Sequence, residues 1–470
     1  MLVPELSEGM ISLPFCLLLT AIRLVGVAAA PAVSSSASHA ATSTSGARVV
    51  AAPSSTPAST APTAPEPSST VPLVSTDPND PLWNFTNGDP QPIRGGLGAP
   101  ILGPINLPLE KENPDILAPP TTDNGDVKNA KWPFDLSHMR LQTGGWARQE
   151  NTDMLPIGTA MAAVDMRLEP GAIRELHWHT ASEWAYVISG FTQISAVDTD
   201  GRNFLATVGP GDLWFFPPGI PHSLQATNQT EGGSQFLLVF DDGAFSDDGT
   251  FLLTDWMAHV SYEVIMKNFQ TNNVAAFAGI PAQQLYIFPG PDPDPDALPP
   301  TDPAGQVPAN ESYYFEFSKI PAKNLTGGSI KTADTTNFPV SNTIIVAEDT
   351  INPGAMRELH WHPTMDEMDY FSEGTAQMTL FAAGGNARTF DYQPGDIGYR
   401  MLNADREPGH YIENTGNTTA RYLEILNGNL FQDLSLNQWL ALTPPKVVKA
   451  HLGLSDATIA SLMKLKPIVI

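Results

Sequence analysis

His177 and His179 stand two residues apart, Glu183 follows four residues later, and His222 lies further along the chain. On a β-strand an i, i+2 pair projects both imidazoles from one face, and a bend in the chain can return Glu183 to the same cavity. Three imidazole nitrogens and one carboxylate oxygen leave room for water or substrate on a six-coordinate ion, a mixture suited to Mn or Fe. Thiolates are absent from the set, and zinc suits a site with open octahedral positions less well. An isolated H-x-H would read most simply as two ordinary histidines. Here His360, His362, Glu367 and His410 recreate the set, and six of the ten histidines fall in the two groups. A buried His and Glu cluster without a cation would be costly to keep.

The elements that must position these groups are written twice. Leu168-Glu-Pro-Gly-Ala-Ile-Arg-Glu-Leu-His-Trp-His179 returns as Ile351-Asn-Pro-Gly-Ala-Met-Arg-Glu-Leu-His-Trp-His362, so that His360 lies 183 residues after His177. That spacing exceeds solenoid repeats and matches a duplicated whole domain. Val208-Gly-Pro-Gly-Asp-Leu-Trp before His222 is echoed by Tyr392-Gln-Pro-Gly-Asp-Ile-Gly before His410. Short β-rich runs bounded by Gly and Pro surround these motifs, such as 184–188, 236–240, 343–347 and 422–425. Each half reads as a small antiparallel barrel in an all-β protein. Helical sequence is confined to 253–266 and 437–465, where Ser455-Asp-Ala-Thr offers capping residues.

A chain of 470 residues has room for two or three domains, and its 37 Gly, 44 Pro and 16% charged residues suit many short strands joined by turns. The formal charge of −26 argues against a nucleic-acid partner and suits acid surroundings, where carboxylates partly protonate. The stretch from Met10 to Val27 is almost wholly apolar and ends in Ala28, Ala29 and Ala30, as a signal-peptide cleavage site would, although Glu5 and Glu8 replace the usual basic residues before it. The expectation is a secreted protein, with no membrane contact once mature. Its single cysteine, Cys16, falls in that leader, so any metal must rest on His and carboxylates. Residues 31–76 are rich in Ala, Ser, Thr and Pro, with no aromatic, and read as a flexible lead-in. Sequons stand at Asn84, Asn228, Asn310, Asn324 and Asn417, as a secreted glycoprotein would use.

Gly171-x5-His177-x-His179-x3-Glu183-x6-Gly190 with Gly211-x5-Pro217-x4-His222 resembles the paired motifs of the cupin superfamily, and two copies make a bicupin. Pro92-Ile-Arg-Gly, Glu183-Trp-Ala-Tyr, Phe240-Asp-Asp-Gly, Leu253-Thr-Asp-Trp and Ser435-Leu-Asn-Gln-Trp-Leu resemble the bicupin oxalate decarboxylases specifically. The resemblance implies two double-stranded β-helix, jelly-roll-like barrels with a few peripheral helices. Expected boundaries are a leader 1–30, the lead-in 31–76, an arm 77–131 packing on the barrels, cupin domain 1 over 132–285 and cupin domain 2 over 286–470.

It also implies two Mn(II) per chain, O2 as co-catalyst, and conversion of oxalate to formate and CO2. Arg174 would offer its guanidinium to the far carboxylate or polarise its C=O; its alternative role is a structural ion pair. In the family a lid over 245–250 carries a Glu as proton source, and Asp247, one methylene shorter, stands at that position. By composition alone Ser246-Asp-Asp-Gly is a solvated turn. Without timely protonation the related oxidase outcome, two CO2 and H2O2, becomes the alternative; a non-catalytic storage or binding bicupin is the third reading. The second half keeps Arg357 and Glu424, an acidic position near the metal in the family. It departs at Met368-Asp369 and in the stretched run Arg400 to Gly409, with Met401 at a usual proline position. That centre is expected to hold metal without being the main catalytic site. Trimers stacked into hexamers are expected by the same resemblance.

Overall fold

In both repeats Pro-Gly pairs turn the chain between strands. Pro presets the first turn residue, and Gly accepts the positive φ that a type II turn needs at the next: +76° at Gly171, +80° at Gly211, +74° at Gly354 and +93° at Gly395. The computed structural model describes residues 89–470, apart from 95, 295–296, 302 and 403–408. The leader with Cys16, the lead-in, the start of the arm with Asn84, and part of the stretched second motif lie outside the described residues.

The protein is all-β, with two antiparallel barrels and a few peripheral helices. In the first barrel, one sheet runs Asn203–Val208, Thr192–Val197, His222–Ala226, Ile173–Trp178, with Phe251–Leu252 and Ile287–Phe288 both pairing to the last. Its companion carries Leu213–Phe216, Glu183–Ser189, Ser234–Phe240 and Ala162–Leu168 as neighbours. The second barrel repeats this plan: Asn386–Tyr392, Ala376–Ala382, His410–Asn414 and Met356–Trp361 in one sheet, Ile345–Ile351, Ala420–Leu426, Glu367–Glu373 and Asp396–Arg400 in the other.

A cut between residues 285 and 286 divides the sequence but not the sheets. Tyr314–Phe315 extends the first barrel by pairing with Leu213 and Trp214, as Ile287–Phe288 does on the ligand strand. Conversely, Lys131–Pro133 reaches forward to pair with Asp396–Gly398 of the second barrel. Alternation along the companion sheets separates two cores. Trp184, Phe215, Val239, Met368, Tyr399 and Ile425 belong to one apolar layer drawn from both barrels, while Ala185, Trp214, Phe216 and Leu238 face the first barrel's interior. The predicted helical stretches are broken into Leu253–Ala258 with Tyr262–Asn268, and Leu436–Leu442, Pro445–Leu452 and Asp456–Ser461. Ser455 caps the last by accepting the Thr458 N–H.

Glu150 lies at the end of the strand Gly145–Glu150, fully buried, with neither carboxylate oxygen hydrogen-bonded. Burial pushes its carboxyl from 4.5 up to about 8. The folded state therefore keeps a proton that the unfolded chain releases. Its contribution to stability is whole below about pH 4.5 and is lost as pH rises towards 8, at up to about 1.4 kcal/mol per pH unit. Glu150→Gln should remove that loss. Denaturant unfolding from pH 5 to 8 should show the variant gaining on the wild type with each unit; a constant difference would contradict the assignment.

Candidate metal centres

Arg174 and His177 are three residues apart, which on a regular strand would send them to opposite faces. A β-bulge resolves this: His177 pairs with His222 and Arg174 with Leu224, so three steps on one strand match two on its partner. The same bulge sits between Arg357 and His360 opposite Ile412 and His410. Guanidinium and imidazole thus enter one cavity in each barrel.

In the first centre every imidazole is anchored through Nδ1 to a backbone carbonyl: His177 to Glu175 at 2.6 Å, His179 to Ala181 at 2.8 Å and His222 to Ile220 at 2.8 Å. An N–H donated there leaves Nε2 as a free donor for a metal, the tautomer a ligand needs. Glu183 Oε1 accepts from Trp214 Nε1 at 2.9 Å, and Oε2 lies 3.2 Å from Nε2 of both His179 and His222. The four potential ligand atoms lie within 4.8 Å of one another. Burial alone would raise the Glu183 carboxyl, but His222 and His179 hold it well below the usual range; burial and then Arg174 push His177 well down. A carboxylate and neutral imidazoles are what a divalent cation requires, and the donor set fits one.

Above this group Arg174 is 1% exposed. Its Nη2 donates to Asp247 Oδ1 at 3.0 Å, and its guanidinium lies 4.3 Å from the Tyr286 ring centre. Arg174 Nε and Nη1 are buried without a hydrogen-bond partner. Two such donors call for an acceptor, and a small carboxylate would supply it. Asp247 is buried as well: Tyr286 Oη donates to Oδ2, and the Asp247 N–H donates to Gln149 Oε1 at 3.0 Å. Ser246-Asp-Asp-Gly is therefore only half a solvated turn, with Asp248 outside, paired with Arg140 at 2.7 Å. Phe245 stacks on Phe240 at 3.6 Å and meets His179 edge-on at 5.5 Å. Outside the turn lies a cavity of about 180 Å³ lined in part by Arg140, Arg148, Gln149, Asp247 and Tyr286.

The second centre has the same frame and a different filling. His360 Nδ1 meets Glu358 O at 2.6 Å and His362 Nδ1 meets Gln432 O at 2.7 Å. Glu367 Oε2 lies 3.2 Å from His410 Nε2 and 3.4 Å from His362 Nε2, and the four ligand atoms again fall within 4.8 Å. Arg357, fully buried, is spent on Glu424 at 3.4 Å and Asp433 at 2.8 Å, which Lys466 also holds. Glu424 Oε1 lies 2.9 Å from His362 Nε2. Burial would raise the Glu424 carboxyl, but Arg357 holds it far below the usual range. Asp349 and Asp369 are also fully buried, and burial followed by neighbouring carboxylates pushes both well up.

The cupin family model matches residues 137–276 and 317–460. The oxalate decarboxylase of Bacillus subtilis (strain 168) is 48% identical over 374 residues, 78% of this chain and 93% of that protein. A probable oxalate decarboxylase of Arthroderma benhamiae is 40% identical over 81% of this chain and 93% of its own length. A solved structure of the B. subtilis enzyme, reported for its Mn(II) centers, superposes with a TM-score of 0.77 at 46% identity, covering 82% of this chain and 99% of that one. The chain belongs to the bicupin oxalate decarboxylase family.

The structure places all eight candidate ligands of this bicupin in two groups, with Arg174 and Asp247 at the first and Arg357 and Glu424 at the second. Sequence reasoning passed over Tyr286, which reaches Asp247 because Glu175 accepts the backbone N–H of Leu285 and Tyr286 and thereby ties that segment to the ligand strand. It also passed over Trp214, Arg140, Asp433 and the burial of Arg400; only the paired motif containing Trp214 carried a signal. Glu183→Ala or His222→Ala should remove one equivalent of bound metal per chain and leave the other, measured by elemental analysis after loading and desalting. Two equivalents in either variant would contradict the ligand assignment.

Proposed function

We propose that this bicupin is a secreted, Mn(II)-dependent oxalate decarboxylase that requires O2, and that its chemistry occurs at the first centre. The observation that carries the reading is the fully buried Arg174 with two N–H groups unspent beside a complete His3Glu set. His177, His179, Glu183 and His222 would hold the cation in the first barrel, and His360, His362, Glu367 and His410 in the second. When bound, Mn(II) together with O2 supplies the reversible one-electron chemistry that loosens the C–C bond of oxalate.

The chain's residues do the rest. Arg174 donates to the oxalate carboxylate, fixing its orientation and stabilising charge on the group that stays behind. Phe240 and Phe245 pack against His179 and shut water from that side. Asp247, carrying a proton taken from solvent, delivers it to the carbon from which CO2 has left, so that oxalate and one proton yield formate and CO2. Tyr286 and Gln149 hold Asp247 from two sides.

One observation favours the oxidase reading. Asp247 is short and is gripped by Arg174 and Tyr286, so late protonation would divert the reaction with O2 and two protons to two CO2 and H2O2. A storage role would have no use for two complete ligand sets. Secretion is supported by the exposed asparagines of the four described sequons, Asn228, Asn310, Asn324 and Asn417. Assembly into trimers or hexamers is supported by apolar side chains left exposed on peripheral helices, Trp256 and Val264 after the first barrel and Trp439 and Leu442 after the second. Sedimentation of the mature protein as a monomer would sink that part.

The Mn-loaded protein should be given oxalate at acid pH, with formate, CO2 and H2O2 quantified. Formate near one per oxalate is expected, and peroxide without formate would overturn the decarboxylase reading. Asp247→Asn should lower the formate rate by about 10²-fold or more and raise the share of H2O2, while Asp247→Glu should keep formate as the main product. Formation of formate at the wild-type rate by Asp247→Asn would remove Asp247 from the proton path.

A further inference from the structure

The duplication lets the two interiors be compared position by position. In the first barrel Phe216 pairs with Glu183 and Trp214 with Ala185; in the second Arg400 pairs with Glu367 and Gly398 with Asp369. Phe216 stacks on the ligand His222, ring centres 4.3 Å apart. Trp214 donates to Glu183 Oε1 and leaves Oε2 to face the imidazoles. Gly398 has no side chain to do this.

Arg400 fills the gap from the neighbouring position. It is 3% exposed, its Nη2 donates to Glu367 Oε1, and its Nη1 donates to Asp369 Oδ2 at 2.5 Å. The division of labour on the carboxylate is therefore the same in both barrels, with Oε1 held by a side-chain N–H and Oε2 turned to two imidazole nitrogens. Gly398 is part of the arrangement: a Cβ there would stand 3.1 Å from Asp369 Oδ2, so the space that an indole occupies in the first barrel is given to the aspartate that anchors the guanidinium.

We propose that Arg400, anchored by Asp369, is a positioning residue of the second metal centre, holding Glu367 so that one oxygen remains for the cation. The proposal rests on the reading that His360, His362, Glu367 and His410 bind a divalent ion. Arg400 touches neither substrate nor metal; it acts through Glu367. Carboxylate ligands oriented by an outer hydrogen bond lose about 10- to 100-fold in metal affinity when that bond is removed. A rigid guanidinium fork serves Glu367 and Asp369 at once, which a lysine cannot reproduce.

Arg400→Val alone would leave the buried Asp369 without its partner, so the informative variant is R400V/D369N, which alters both members of the pair together. The metal-free wild type and double variant are titrated with Mn(II), and free and bound ion are followed by electron paramagnetic resonance. Melting of the metal-free proteins reports whether the fold is retained. The wild type should take up two equivalents. The double variant should bind the first as tightly as before and the second about 10- to 100-fold more weakly, with an altered spectrum for that ion alone. R400K should fall between the two.

Wild-type protein with two equivalents and a double variant matching it in affinity and spectrum would overturn the role of Arg400 while leaving both centres in place. A tighter second site in the double variant would overturn it too, making the guanidinium a competitor of the cation. A wild type that binds only one equivalent would overturn the two-centre reading and the proposal with it.

Discussion

Each imidazole of the first centre gives one ring nitrogen to a backbone carbonyl of its own strand or turn: His177 to Glu175, His179 to Ala181 and His222 to Ile220. These short anchors decide which nitrogen faces inward, and much else serves them. Glu175 lies in the ligand strand, where its N–H donates to Tyr286 O, Ile220 lies in a turn, where its N–H donates to Pro217 O, and the bulge opposite His222 turns Arg174 into the same space. A buried carboxylate among three imidazoles is tolerable when its second oxygen is held by a donor and a cation completes the group. Trp214 supplies that donor in the first barrel and Arg400 in the second.

Duplication preserved this frame and let the interiors diverge. Met166, Ala185, Phe216, Phe236 and Leu238 make the first interior apolar. At the matching registers the second has Asp349, Asp369, Arg400, Tyr422 and Glu424, all buried. The consequence lies in the arginines. Arg174 keeps Nε and Nη1 unspent beside its metal group, whereas Arg357 is committed to Glu424 and Asp433 and keeps only Nη1. A carboxylate entering the first barrel would meet two unspent guanidinium nitrogens of Arg174, and one entering the second a single one of Arg357.

The ligands were legible because H-x-H and the later Glu and His occur twice with nearly the same spacing, and the period-2 runs around them gave the barrels. Arg174 was legible only by resemblance, since a bulge that brings i and i+3 to one face leaves no mark in the periodicity. Tyr286 and Asp433 were not legible: each is brought in by a long loop and by hydrogen bonds to distant groups, not by its own strand. Arg400 was visible as a letter in the altered run before His410, but nothing local says that an arginine closing a strand points into the core. The sheets also exchange edge strands, Lys131–Pro133 going to the second barrel and Tyr314–Phe315 to the first, which a linear division cannot anticipate.

The central claim is that Arg174 and the metal group of the first barrel form the place where oxalate is cleaved. Its most direct test follows 13C-labelled oxalate with Mn-loaded wild type, His222→Ala and His410→Ala by NMR. The account predicts one formate per oxalate from the wild type and continued formate production by His410→Ala, with none from His222→Ala. Formate from His222→Ala at the wild-type rate, or its loss from His410→Ala alone, would contradict it.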